Sequence, residues 1–135
     1  MYLLDTMVLS ELRKRRRAPG LVEWLERVRP TDLYLSVVTI GEVEKGIAKQ
    51  QRLDPVFAER LTGWLDGVLR YYATRLLAID LSTARRWGRL ADAHRHAGAD
   101  LLIAATALEH GLAIVTRNVR HFEGTGAPLV NPFGT

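Results

Sequence analysis

Apolar residues in this chain fall into two rhythms. Short runs at Tyr2–Leu4, Leu33–Leu35, Leu76–Ile79 and Leu112–Val115 have the length of buried strands, and Leu129–Val130 offers an edge strand. Between them apolar positions recur every three or four residues, the spacing of one helix face. Helices are therefore expected from Thr6 to about Arg17, stopped by Pro19-Gly20, and over Leu21–Val28 with Val22, Leu25 and Val28 inward. A further helical stretch runs from the second strand to about Gln50. Asp54-Pro55 reads as a cap followed by a proline at the first helical position, opening a helix that reaches Tyr72. Ser82–Ala97 turns Trp87, Leu90 and Ala91 inward, and Asp100–His110 is ended by Gly111.

Strands joined by crossovers this long pair in parallel, with helices covering the sheet. The expectation is an α/β fold with four or five short strands. One domain over residues 1–135 suits the length, which buries roughly two-thirds of the unfolded surface. Ligands in such sheets bind outside the carboxyl ends of the strands. Asp5, Ser36, Asp80 and Thr116 each follow a predicted strand directly, which says where to look.

Composition narrows the chemistry. Apolar residues make up 47% and charged residues 25%, the balance of a folded globular protein rather than a disordered one. The absence of cysteine excludes disulfides, thiolate metal sites and a cysteine nucleophile. Met1-Tyr2-Leu3-Leu4-Asp5 lacks the basic start of a signal peptide, and no uncharged apolar run approaches the ~20 residues of a membrane span. A cytoplasmic protein without a membrane partner is expected. Net charge is +4, of which Arg13-Lys14-Arg15-Arg16-Arg17 carries +5, leaving −1 on the remainder. Such a patch suits a phosphate backbone, and equally a solvated helix end.

Each candidate carboxylate has an ordinary alternative. Asp5 stands where the sheet opens its crevice, yet it or Thr6 would cap the next helix. Glu42 closes Thr39-x-x-Glu42, the pattern of a capping box, or else points one turn into its helix toward the crevice. Asp100 opens a helix that is apolar all round apart from Thr106, so it either caps that helix or faces an ion. Asp80 reads as a helix start and Asp92 as solvated. His94 and His96 point to different faces, a poor metal pair. Three carboxylates in one crevice need a proton or a cation, because two charges ~4 Å apart repel by about 4 kcal/mol at an effective dielectric of 20. Oxygen ligands alone favour Mg²⁺ or Mn²⁺.

Several ordered motifs resemble one family. Met1-Tyr2-Leu3-Leu4-Asp5-Thr6 leading into Val8-Leu9-Ser10-Glu11-Leu12 resembles the opening of PIN-domain proteins. Ser36-Val37-Val38-Thr39-Ile40-Gly41-Glu42 resembles their second acidic motif. Asp100–Leu108, Gly111-Leu112 and Val115-Thr116-Arg117-Asn118-Val119 resemble their C-terminal signature, and Phe122 with Asn131-Pro132-Phe133 closes the chain as in VapC toxins, FitB-like members included. The resemblance implies a PIN-like three-layer sandwich and a Mg²⁺- or Mn²⁺-dependent endoribonuclease that hydrolyses RNA. Asp5, Glu42 and Asp100 match the acidic positions and would hold the metal directly or through water. The fourth acidic position falls near Asn118. Thr6 and Thr116 would support the site, and Arg13, Arg15, Arg16 and Arg117 would hold the RNA backbone, with Arg13–Arg17 on the helix after Asp5. A homodimer is implied, as is a cognate antitoxin whose tail covers the crevice. Two positions depart from the pattern: the family usually has asparagine at Met7 and often aspartate at His121, which leaves this site less acidic.

Two other classes compete. A catalytically weak or silent PIN domain would bind RNA or protein without cutting. A receiver-like phosphoacceptor would need an acidic pair after the first strand and a late lysine, whereas Asp5 is followed by Thr6 and no lysine occurs beyond Lys49.

Overall fold

The computed structural model describes residues 1–134. Five parallel strands form one sheet: β1 (Tyr2–Leu4), β2 (Leu33–Ser36), β3 (Leu76–Leu77), β4 (Ala113–Val115) and β5 (Leu129–Val130), in the order β3-β2-β1-β4-β5. Six α-helices connect them: α1 (Thr6–Leu12), α2 (Pro19–Arg27), α3 (Val37–Leu53), α4 (Pro55–Tyr71), α5 (Leu81–His94) and α6 (Ala99–His110).

Neighbouring strand residues point to opposite faces, and each face has its own core. Leu4, Leu33, Leu35 and Val115 pack with Val8, Leu9, Leu21, Ile47, Ala58 and Leu65, contributed by α1 to α4. Leu3 and Ile114 pack on the other side with Ile103, Ala104, Ala107 and Phe122. The result is the expected three-layer sandwich. The helix apolar on every side, α6, is buried as predicted: Leu101, Ile103, Ala104, Ala105 and Ala107 are each at most 1% exposed. Its single polar interior residue, Thr106, donates its hydroxyl to the Leu102 carbonyl at 2.8 Å. An ion pair at 2.8 Å between Arg86 and Glu109 fastens α5 to it.

Strand order reverses beside β1. The chain steps from β1 to β2 and β3 on one flank, then crosses to place β4 against the other. The carboxyl ends of β1 and β4 therefore flank the switch point at which open α/β sheets bind ligands. In register Leu4 faces Val115, which sets Asp5 and Thr116 side by side just beyond the sheet.

Five sequence expectations change. Helix α1 ends at Leu12, not Arg17, so the basic run is not on it. The Glu11 carboxylate accepts from Lys14 Nζ and from the Ala18 N–H, both at 3.1 Å, and folds residues 13–18 into a loop. The hydrogen bond from Lys14 holds that carboxyl below its ordinary range. Pro19-Gly20 opens α2 instead of closing α1, with the proline at the first helical positions. Leu25 and Val28 pack against the core as expected, but the buried residues of α2 are Leu21 and Trp24, while Val22 is exposed; Trp24 meets the Tyr2 ring edge-on, 4.9 Å between centroids. The third strand stops at Leu77 and α5 at His94, each shorter than the apolar pattern.

Helix α2 also anchors the end of the chain. A Cβ at Gly20 would overlap the Pro132 carbonyl, so only glycine permits this approach. Two substitutions on α2 test its orientation in urea unfolding. Trp24→Ala is expected to cost about 3–5 kcal/mol, and Val22→Ser to stay within ~0.5 kcal/mol.

Candidate active site

Asp5 is both a helix cap and the centre of the site. Its Oδ1 accepts the Thr6 N–H at 2.8 Å, which starts α1, and its Oδ2 accepts the Thr116 hydroxyl at 2.9 Å. Thr116 is fully buried and accepts in turn from the Asn118 N–H at 2.9 Å. The turn after β4 is thereby tied to the carboxylate after β1. Thr6, the alternative cap, bonds elsewhere. Its hydroxyl donates to Glu42 Oε1 at 2.6 Å and lies 3.0 Å from the Thr39 hydroxyl.

These bonds decide the reading of Glu42. The capping box does not form, because Ser36 caps α3 and accepts from the Val38 N–H, and Thr39 is buried inside the helix. Glu42 is exposed and reaches across to Thr6. Asp100 sits in the first turn of α6, with Oδ1 accepting from the Leu101 N–H at 3.1 Å. The cap position itself is Gly98, which offers no side-chain bond. A Cβ there would come within 2.8 Å of Asp100 Oδ1, and 3.2 Å of the His96 ring.

Asp5, Thr6, Glu42, Asp100 and Asn118 all line one cleft of about 420 Å³, with Met7, Ile103, His121 and Phe122 completing its walls. Burial pushes the Asp5 carboxyl above its ordinary value, and the Glu42 charge adds to this. The bonds from Thr116 and Thr6, with His121 nearby, pull it back down. Among the described residues no three acidic or histidine side chains are close enough to enclose an ion by themselves. The carboxylates share a cleft rather than a point. That donor set fits a small hard cation, since Mg²⁺ takes one or two carboxylates and keeps several waters.

The remaining candidates separate. Arg117 is exposed, stacks on Phe133, and lines the adjoining groove rather than this cleft. Arg13 lies over the Phe57 ring of α4, and Arg15 and Arg16 are exposed on the loop after α1. Asp80 caps α5 through the Thr83 N–H, whose bond lowers its pKa. His96 accepts from the Gly98 N–H, so it shapes the loop before Asp100. Sequence reading missed the apolar walls; Ile103, one helical turn after Asp100, is the member that spacing signalled.

The sequence matches the PIN domain family over residues 2–127. The chain belongs to the PIN-domain family. It is 34% identical to VapC ribonuclease Y4jK of Sinorhizobium fredii, over 98% of both chains. It is 33% identical to Toxin FitB of Neisseria gonorrhoeae, over 98% of this chain and 99% of that one. The crystal structure of FitAcB from the same organism superposes with a TM-score of 0.80 at 32% identity, covering all of both chains. The PIN chain also has, among its described residues, no helix long and apolar enough to cross a membrane.

An acid whose pKa rises on folding destabilises the fold once it ionises. The effect is absent where Asp5 is protonated in both states, sets in as pH climbs past the ordinary value of 3.8, and is complete above the raised value. Metal-free Asp5→Asn is therefore expected to melt about 2–5 °C above the parent at pH 7, and no higher than the parent near pH 3. Thermal scans at the two pH values provide the check.

Proposed function

We propose that this PIN domain is the toxin of a type II toxin–antitoxin pair, an endoribonuclease that hydrolyses RNA phosphodiester bonds with Mg²⁺ or Mn²⁺. The observation that carries the reading is the meeting of Asp5, Glu42 and Asp100 in one cleft at the strand-order switch point, in a chain whose full-length relatives include a VapC ribonuclease and a FitB toxin. Asp5 and Asp100 would hold the ion, with Glu42 through water. The ion would supply a bound water of lowered pKa and positive charge for the phosphate oxygens.

The chain's own residues do the rest. Thr116 and the Thr6 N–H keep the Asp5 carboxylate aimed into the cleft. Thr6 orients Glu42, whose charge faces the same space. Asn118 brings a neutral amide to the fourth acidic position, with its Nδ2 against the Met7 sulfur. Ile103 and Phe122 form an apolar wall that limits water at the reacting bond. The same reading includes a homodimer and an antitoxin whose tail covers the cleft. An arginine on that tail would pair with these carboxylates.

Met7 favours a second reading, a silent PIN domain that binds without cutting. It is 47% exposed in the cleft wall, and its sulfur takes up the Asn118 amide. One assay separates the two: cleavage of labelled total tRNA and rRNA by antitoxin-free protein in Mg²⁺, Mn²⁺ or EDTA. The nuclease reading expects discrete metal-dependent cuts, lowered about 100-fold or more in Asp100→Asn. No cutting by a folded parent would support the silent domain.

The close approach at Gly98 gives a sharper test. Gly98 has φ −68°, which alanine adopts freely, and the obstructing atom is the end of the Asp100 side chain. Gly98→Ala is expected to fold normally and to lose about tenfold or more in cleavage, because the carboxylate must swing aside. Parental cleavage rates in this variant would show that the Asp100 position does not matter.

A further inference from the structure

Beside the acidic cleft runs a second groove of about 200 Å³ that shares the Thr6 and Met7 wall. Glu11, Lys14, Arg117 and Phe133 also line it. The Glu11 side chain is 10% exposed and its oxygens are taken by Lys14 and the Ala18 N–H, while the Lys14 side chain is 56% exposed. The Arg117 guanidinium lies over the Phe133 ring, 4.1 Å from its centroid. The cation thus lies against an aromatic ring, and Arg117 remains exposed, within reach of a flat partner.

Both halves of this stack are anchored. Phe133 packs against the core on the α2 side, its N–H donates to Asn131 Oδ1 at 3.0 Å, and the preceding Pro132 carbonyl sits against Gly20. Arg117 lies between Thr116, which donates to Asp5, and Asn118, whose N–H donates back to Thr116. The platform is therefore held at a fixed place relative to the Asp5 carboxylate.

We propose that this groove seats a nucleotide of the RNA adjacent to the bond being cut, with its base stacked on Arg117 and its phosphate drawn by Arg117 and Lys14. The proposal rests on the ribonuclease reading. Bases stack on arginine planes and aromatic rings with little regard to sequence, so the groove positions substrate rather than selecting it. A flat cation beside an exposed lysine matches a base joined to a phosphate. A protein tail would need a flat and an acidic side chain together to use both features.

The test is fluorescence anisotropy in EDTA, where no bond is cut, with a labelled oligo(A) RNA of roughly 12 nucleotides and an abasic strand of equal length. Arg117→Lys keeps the charge and loses the plane; Phe133→Leu removes the ring beneath it, with melting temperatures recorded for both. Oligo(A) affinity is expected to fall about 5- to 10-fold in each variant, and abasic affinity by less than about 2-fold. Parental affinity for oligo(A) in Arg117→Lys would overturn the platform and leave the groove to a protein tail. Equal losses on both strands would overturn it as well, reducing Arg117 to a point charge. Cleavage is read separately: a parent that cuts nothing yet shows the base-dependent loss sinks the nuclease and keeps the platform.

Discussion

A carboxylate taken out of water must be met by donors, and Asp5 is met by two from opposite directions. The Thr6 N–H comes from the helix that Asp5 itself starts, and the Thr116 hydroxyl comes from beyond the neighbouring strand β4. The second bond joins residues 111 positions apart, so it exists only once β1 and β4 have paired in register. Everything else in the site hangs from this pair. Thr116 fixes the turn that presents Arg117 and Asn118, and Thr6, set at the first position of α1, carries its hydroxyl to Glu42. Even so, burial dominates the Asp5 carboxyl and holds its pKa up. Charge at such a buried carboxyl is costly without a counter-ion beside it.

The sheet makes this possible by separating its duties. Alternating side chains divide the interior into two cores, so that strands of two to four residues are packed on both faces. With both faces occupied by packing, the open position is the carboxyl edge. There the reversal between β1 and β4 parts the covering helices. Helix α6 serves both ends of this arrangement. Its apolar body is core, and its first turn carries Asp100 into the cleft, where Gly98 leaves room for the carboxylate.

Much of this was legible in the amino-acid pattern because it is local. Strands announced themselves as apolar runs, α6 as a helix without a polar face, and Asp5 as a carboxylate just past a strand. What escaped depends on contacts distant in sequence. Thr39-x-x-Glu42 satisfies the capping pattern, but β2 ends at Ser36, which takes the cap and sends Thr39 inside. Val22, Leu25 and Val28 have good helical spacing, and Leu25 and Val28 do pack against the core, but Leu21 and Trp24 are the buried pair and Val22 is exposed, with Trp24 seated against the Tyr2 ring of β1. The basic run looked like more of α1 because five cations carry no apolar rhythm to mark a stop. The stop comes from Glu11 gripping Ala18, seven residues on. Arg117 followed the same logic: its place after β4 was visible, but its stack on Phe133 required the folded tail.

Asp5, just past β1, and Asp100, in the first turn of α6, are proposed to act together as one divalent-ion site. Mn²⁺ titration of the antitoxin-free protein at pH 7, followed by electron paramagnetic resonance, reads this directly and needs no RNA. Asp5→Asn and Asp100→Asn are each expected to weaken Mn²⁺ binding by about tenfold or more while the fold persists. Parental Mn²⁺ binding by both variants would contradict it.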